Sequence, residues 1–249
     1  YEDIADCAMI IITAGANQKP GETRLDLVHK NVEIYKSIIP KIVEKNQEAT
    51  LLIVSNPVDI MTYVALKLSG YPSHKVIGSG TVLDTARLKY LLSRHLDVDS
   101  RSIHAFIIGE HGDSELAVWS GANISGIDLD HFCQLRGQAY SQEAMQKIYK
   151  EVRDSAYEII SRKGATYYGI AASVCHICRC LFSSTDTILT VSSMMTGEYG
   201  LHDVALSVMS VVGSEGIKGN ICAKLTDEEL GKLHHSADVL KDVIRQIKI

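Results

Sequence analysis

Residues 8–15 read AMIIITAG, residues 50–57 read TLLIVSNP, and residues 75–78 read KVIG. Each begins as a short, nearly continuous apolar run and ends at Gly or at Ser55-Asn56-Pro57. Runs that are apolar at successive positions, rather than at alternate ones, mark strands covered on both faces in a parallel sheet. The segments between them carry the helical period instead. Leu27, Ile34, Ile38, Ile42 and Val43 recur at near-helical spacing across 25–46, and 58–69 and 82–95 read as further helices. Strand and helix in strict alternation require right-handed crossovers, so the expected class is α/β with a parallel sheet. Ligands of such sheets bind outside the carboxyl ends of the strands. The loops after 8–15, 50–54 and 75–78 are therefore expected on the binding edge.

The second half changes character. A strand at 103–108 (IHAFII) runs into Gly109-Glu110-His111-Gly112-Asp113. Helical patterns cover 140–163 and, after Lys163-Gly164, about 166–181. Strands are expected at 187–194 and 203–212, and a last helix opens at Thr226 with Glu229 three residues on, a capping-box pattern. This half reads as α+β, and neither half contains an internal repeat.

The chain has 249 residues, a net charge of -5, 46% hydrophobic and 22% charged residues. That is enough apolar material for a packed core, which argues against disorder. The mildly acidic balance argues against nucleic-acid or polybasic membrane partners. The cysteines at 7, 133, 175, 178, 180 and 222 are irregularly spaced in a chain too long to need disulfide staples. Cys175, Cys178 and Cys180 share a helical pattern that sends them in diverging directions, and no second ligand pair completes a metal site, so none is expected. The sequence opens at Tyr1 and almost at once enters the first strand, with no signal-peptide pattern before it.

Three loops carry candidate chemistry. Residues 15–24, GANQKPGETR, leave a strand end with hinge-like Gly and Pro and a polar content, as a closing loop needs; a long surface turn would read the same way. Asp84 and Arg87 fall on one helix face at i, i+3, which suits either a ligand clamp or a surface ion pair. His111 follows an apolar strand in a glycine-punctuated loop, and His is the side chain best matched to proton transfer near neutral pH. Asn56, at another strand end, is a weaker candidate, because Asn is also a common residue for leaving a strand.

Together ITAGANQKPGETRLDL (12–27), SNPVDI (55–60), VIGSGTVLDTARL (76–88), IIGEHGDSE (107–115) and KGATYYGIA (163–171) resemble the NAD-dependent L-lactate dehydrogenases of the lactate/malate dehydrogenase family, in order as well as content. The resemblance spans essentially the whole chain and has a bacterial form. It implies an incomplete Rossmann-type parallel sheet at 1–78, followed by an α+β catalytic domain at 79–249. The implied reaction is reversible hydride transfer between lactate and NAD, giving pyruvate and NADH, in the cytoplasm, as the closing step of fermentative glycolysis.

Roles follow position by position. The resemblance implies His111 as acid/base, Asp84 as the carboxylate that orients it, Arg87 as the clamp on the substrate carboxylate, and Arg24 as the loop residue that polarises the reacting carbonyl. Thr166 and Asn56 match substrate-side positions. Gln18 stands where malate enzymes carry Arg, so a second substrate carboxylate would go unpaired and pyruvate is favoured. Gly15, Ala16, Ser37, Val54, Asn56 and Ser79 match cofactor contacts. Lys89 and His104 match the positions that bind fructose 1,6-bisphosphate in allosteric homotetramers, where relatives commonly have Arg in place of Lys89.

The family's G-x-G-x-x-G fingerprint and its ribose-binding acid do not occur before residue 8. The expectation is that the first βαβ unit, on the order of 60–70 residues, is absent from this sequence. Two alternatives stand beside lactate oxidation: a malate-type 2-hydroxy-acid specificity, and a non-catalytic polypeptide.

Overall fold

The computed structural model describes residues 1–16, 21, 23–137, 140–164 and 166–249, with the backbone alone at Arg24. Three parallel strands come first: β1 (Met9–Ile12), β2 (Thr50–Ile53) and β3 (Val76–Gly78). The crossovers between them are α1 (Arg24–Lys45) and α2 (Val58–Ser69). α1 starts at residue 24 because Thr23 and Asp26 form a reciprocal capping box that satisfies its first backbone donors. α3 (Val82–Leu96) leaves the carboxyl end of β3.

The middle of the chain is built from short pieces. They are β4 (Ile103–His104), β5 (Ile107–Ile108), β6 (Leu116–Ala117), β7 (Asn123–Ile124), β8 (Ile127–Asp128) and α4 (Leu129–Leu135). Then come α5 (Gln142–Lys163), α6 (Tyr168–Leu181), β9 (Thr187–Thr196), β10 (His202–Gly213), β11 (Gly216–Asn220) and α7 (Asp227–Ile244). The expected capping box at Thr226 and Glu229 is formed.

The main sheet runs β1-β2-β3-β9-β10-β11, parallel in its first three strands and antiparallel in the rest. The seam is Gly78 opposite Ser192. A Cβ on Gly78 would lie 2.3 Å from Thr62 Oγ1 and 2.8 Å from Ser192 Cβ, so only glycine allows β3, α2 and β9 to meet. Gly80 repeats the constraint, with φ 52° and a would-be Cβ 2.5 Å from the Ser192 backbone nitrogen.

One face of the sheet packs on α1, α2 and α7 through Tyr35, Ile39, Met61, Val64, Leu233 and Leu240, all nearly inaccessible. The other packs on α6 through Leu52, Ile77, Ile177 and Val191. A further core joins α3, α4 and α5 over β4 and β7. Each large aliphatic side chain so buried contributes about 1.5–3 kcal/mol against the chain entropy.

Two expectations are corrected. The first strand is shorter than 8–15 and is not covered on both faces. Ile11, on one of its faces, remains 43% exposed, and among the described residues β1 lies at the edge of the sheet. The strand expected at 103–108 breaks into β4 and β5, which join different sheets. The cause is tertiary: Thr81 Oγ1 donates to the Ile107 carbonyl at 2.6 Å, and the Ile107 N–H donates to Thr85 Oγ1 at 3.0 Å. The hydroxyls of α3 and of the residue before it thus take the Ile107 backbone groups that pairing with a further strand would have used.

Candidate active site

The loop 109–115 leaves β5 and is held by four other elements. Gly109 exchanges backbone hydrogen bonds with Ser207 of β10, at 2.8 and 2.9 Å. The Glu110 N–H donates to Ser236 Oγ of α7 at 2.7 Å. The His111 N–H donates to Asp59 Oδ2 of α2 at 2.7 Å, and His111 Nδ1 lies 2.6 Å from Asp84 Oδ2 of α3. With an ionised carboxylate as partner, Nδ1 is the donor, and Nε2 is the nitrogen left for proton transfer.

Asp84 is 4% exposed and His111 26% exposed at the side chain. One helical turn beyond Asp84, Arg87 places Nη1 3.2 Å from Asp84 Oδ1. Burial alone would lower the His111 pKa. The charge and hydrogen bond of Asp84 outweigh it, with Asp59 and Glu115 adding to them, and push it up to about 9. Burial likewise opposes ionisation of Asp84, but the imidazolium and Arg87 beside it hold its pKa below the ordinary carboxylate value. Asp59 is wholly enclosed; burial raises it to about 6, moderated by donors from Ser192 and from the His111 backbone.

The carboxyl ends of β1 and β2 are stitched together by side chains. The Ala16 N–H donates to Asn31 Oδ1 at 2.7 Å, and Asn31 Nδ2 donates to the Asn56 carbonyl at 2.7 Å. Ser55 Oγ donates to the Ala14 carbonyl at 2.6 Å. The Ser79 N–H donates to the Ile53 carbonyl at 2.8 Å, which draws the end of β3 to the same edge. Gly15, Ala16, Val54, Asn56 and Ser79 are thus gathered on one rim of the sheet, with Gly15 and Asn56 exposed. Ser37 lies exposed midway along α1, and Thr166 is half-buried between α5 and α6. Lys89 and His104 line one cavity of about 520 Å³ together with His176 and the start of β9. Gln18 lies outside the described residues, as does the Arg24 side chain.

Sequence reasoning assigned nothing to Asp59 or Glu115. Asp59 reads in sequence as an acid in a helix's first turn, where it favours the macrodipole anyway. Glu115 stood inside a quoted motif without a role. Its side chain is buried, with Oε1 lacking a hydrogen-bond partner among the described residues.

The family model for the lactate/malate dehydrogenase NAD binding domain matches residues 1–78, and that for the lactate/malate dehydrogenase alpha/beta C-terminal domain matches residues 81–248. An L-lactate dehydrogenase of Acetivibrio thermocellus is 53% identical over 100% of this chain and 78% of its own length. One from Priestia megaterium is 48% identical over 97% of this chain and 76% of its own. The crystal structure of the minor L-lactate dehydrogenase from Enterococcus mundtii, in its ligands-bound form, superposes with a TM-score of 0.95 at 38% identity, covering 100% of this chain and 79% of that one. With two family models that together match nearly its whole length and relatives about half identical across it, this chain belongs to the lactate/malate dehydrogenase family.

Proposed function

We propose that the chain is an NAD-dependent L-lactate dehydrogenase, and that the observation carrying this is the Asp84–His111 couple at 2.6 Å with Arg87 on the next turn of the same helix. His111 holds the proton that a 2-oxo acid receives at its oxygen, and takes it back from the hydroxy acid. Asp84 keeps the ring oriented and its charge stabilised. Arg87 presents a planar guanidinium to the substrate carboxylate, which a lysine could match only at one point. Arg24, at the start of α1 and at the end of the loop that follows β1, is assigned the carbonyl oxygen.

The rim of the sheet suits the reactive end of a nicotinamide cofactor. Gly15 brings no side chain to an exposed edge, and Asn56, whose backbone is already tied to Asn31, brings a carboxamide able to pair with another. Ala16, Val54 and Ser79 line the same rim, with Ser37 further along α1. When bound, the cofactor supplies the hydride donor or acceptor; the protein supplies position and charge.

A neutral Gln18 favours pyruvate over oxaloacetate, because the latter's second carboxylate would find no cation. Thr166 is placed on the substrate side. The division into 1–78 and 79–249 belongs to the same reading and is supported by the two family-model spans. So does a regulatory anion site at Lys89 and His104 in a homotetramer, for which the shared cavity is the support. Free thiols at all six cysteines fit a reducing cytoplasm. Among the described residues no helix is long and apolar enough to cross a membrane.

The test is loss of NADH absorbance with pyruvate and, separately, with oxaloacetate. Turnover with pyruvate and a lower kcat/KM with oxaloacetate are expected. No turnover with pyruvate would overturn the reading. Gln18→Arg should raise the oxaloacetate-to-pyruvate ratio of kcat/KM by about 100-fold, as an added buried ion pair of about 3 kcal/mol implies; an unchanged ratio removes the specificity argument.

A further inference from the structure

Glu115 follows His111 by four residues and turns back toward it, its own N–H bonded to the Gly112 carbonyl. The residue is 5% exposed. Ligand atoms of Glu115, Asp84 and His111 all lie within 4.8 Å of one another. Asp84 has its partners in His111 and Arg87, whereas Glu115 Oε1 is buried without any among the described residues. Two carboxylates so close in a low-dielectric pocket repel, and a buried carboxylate without a donor is strongly disfavoured. The second proton has to sit on one of them, and the unpartnered one takes it.

Among the described residues, the charged and titratable groups around Glu115 come from α3, α5, α2 and its own loop, with Glu110 beside Asp59. α3 contributes Asp84 and Arg87. α5 contributes Arg153 and Tyr149, whose hydroxyl donates to the Glu115 carbonyl. The loop contributes His111, and α2 contributes Asp59 behind it. Burial comes first and the Asp84 charge second in raising Glu115, to about 8, against the pull of His111, Arg87 and Arg153.

We propose that Glu115 is a positioning residue which, as a neutral acid, leaves the site one net positive charge for the substrate carboxylate and, as a carboxylate, cancels it. Among the groups in direct contact, Asp84 offsets one of the two cations at His111 and Arg87 and the other is matched to a monoanionic 2-oxo acid, while Asp59 and Arg153 stand behind them with opposite charges. Ionised Glu115 leaves an electrically balanced pocket that no longer draws the anion in. This deepens the dehydrogenase reading and rests on it. It predicts an effect on KM well before His111 itself loses its proton, so that KM and kcat separate in the alkaline range.

The experiment is a pH series of KM and kcat for pyruvate on the parent protein, Glu115→Gln and Glu115→Asp. From about pH 7 to about pH 8.5 the parent KM should rise about fivefold, as a group with pKa near 8 and His111 near 9 require, while kcat changes by less than about twofold. Glu115→Gln should reduce the KM rise to less than about twofold, and Glu115→Asp, which keeps the carboxyl, should restore a steep rise. A Gln variant whose KM climbs in parallel with the parent overturns the proposal. Infrared titration of the parent alone decides the same point if the variants do not fold. A protonated carboxylic acid band should persist at about pH 7, where Asp59 is already ionised, and vanish by about pH 9. Its absence at neutral pH overturns the proposal. This measurement needs no turnover, so failure of Glu115 to hold its proton is distinguished from failure of the protein to reduce pyruvate.

Discussion

Replacing Asp84 by Asn tests the centre of the site, because the change keeps size and removes only the charge. His111 holds its proton up to about 9 although burial pulls the other way, and the first opposing influence is Asp84 at 2.6 Å. The gap from the ordinary value of 6.5 to about 9, at about 1.4 kcal/mol per tenfold, is a stabilisation of about 3 kcal/mol for the imidazolium. The same charge stabilises the transition state, in which the proton is shared between Nε2 and the substrate oxygen. Asp84→Asn should therefore lower kcat/KM for pyruvate by about 100- to 1000-fold at neutral pH. Its alkaline limb should move from near 9 to below 7, since burial then acts on His111 with its main opponent gone. The assay is steady-state NADH oxidation across that pH range, with circular dichroism to confirm that the variant is folded. Because the equilibrium constant is fixed, lactate oxidation at the same pH must lose the same factor. A variant that loses less than about tenfold and keeps its limb near 9 would refute the argument, since Asp84 would then be orienting the ring without setting its charge.

Three other outcomes follow from the same geometry. Asp59→Asn weakens the anchor on the His111 N–H, gives the Ser192 hydroxyl a poorer acceptor to donate to, and should cost about 1–3 kcal/mol of stability in urea unfolding with a fall of about tenfold in kcat. Gly80→Ala forces a Cβ to within 2.5 Å of the Ser192 nitrogen and of Ser207 Oγ; the variant should unfold about 1–3 kcal/mol more easily, and a neutral result would mean that β3 and β9 part without cost. Thermal stability should decline from about pH 5 to about pH 9. His111, raised from 6.5 to about 9, stabilises the fold fully below 6.5 and loses that contribution as pH passes through 9. Glu115, raised from 4.5 to about 8, acts in the same direction from a lower start. A midpoint that is flat or rising over that interval contradicts both assignments.

The first three strands were legible as unbroken apolar runs before polar stops, although the first was read as longer than β1, and their helices as segments long enough to show one period. α2, β3 and α3 occupy 58–69, 76–78 and 82–96, within a residue of the periodic segments. His111, Asp84 and Arg87 were legible as residue types in suggestive places, and Asp84 and Arg87 even as neighbours, because helical geometry fixes i, i+3 contacts. That Asp84 meets His111 was legible only through the family resemblance, since 27 positions of chain separate them and only the tertiary fold closes the gap. The same holds for Asp59, whose partner Ser192 is 133 positions away. β6, β7 and β8 were invisible for a different reason: two residues are too few to express a period. The break between β4 and β5 depended on two threonine hydroxyls on another element, which no local pattern announces.

The pairing of Gly78 with Ser192 also determines where the molecule can be divided. The two family matches meet between residues 78 and 81, which invites cutting there to obtain two modules. Such a cut uncovers β3 and the middle of β9 where Gly78 meets Ser192, and strand edges left open in this way adhere. Neither piece would be self-sufficient. Mixed together they should dock along that edge and recover one cooperative unit, as split reporters do. The junction that ancestry draws through this chain is thus a good place for fragment complementation and a poor one for making independent halves.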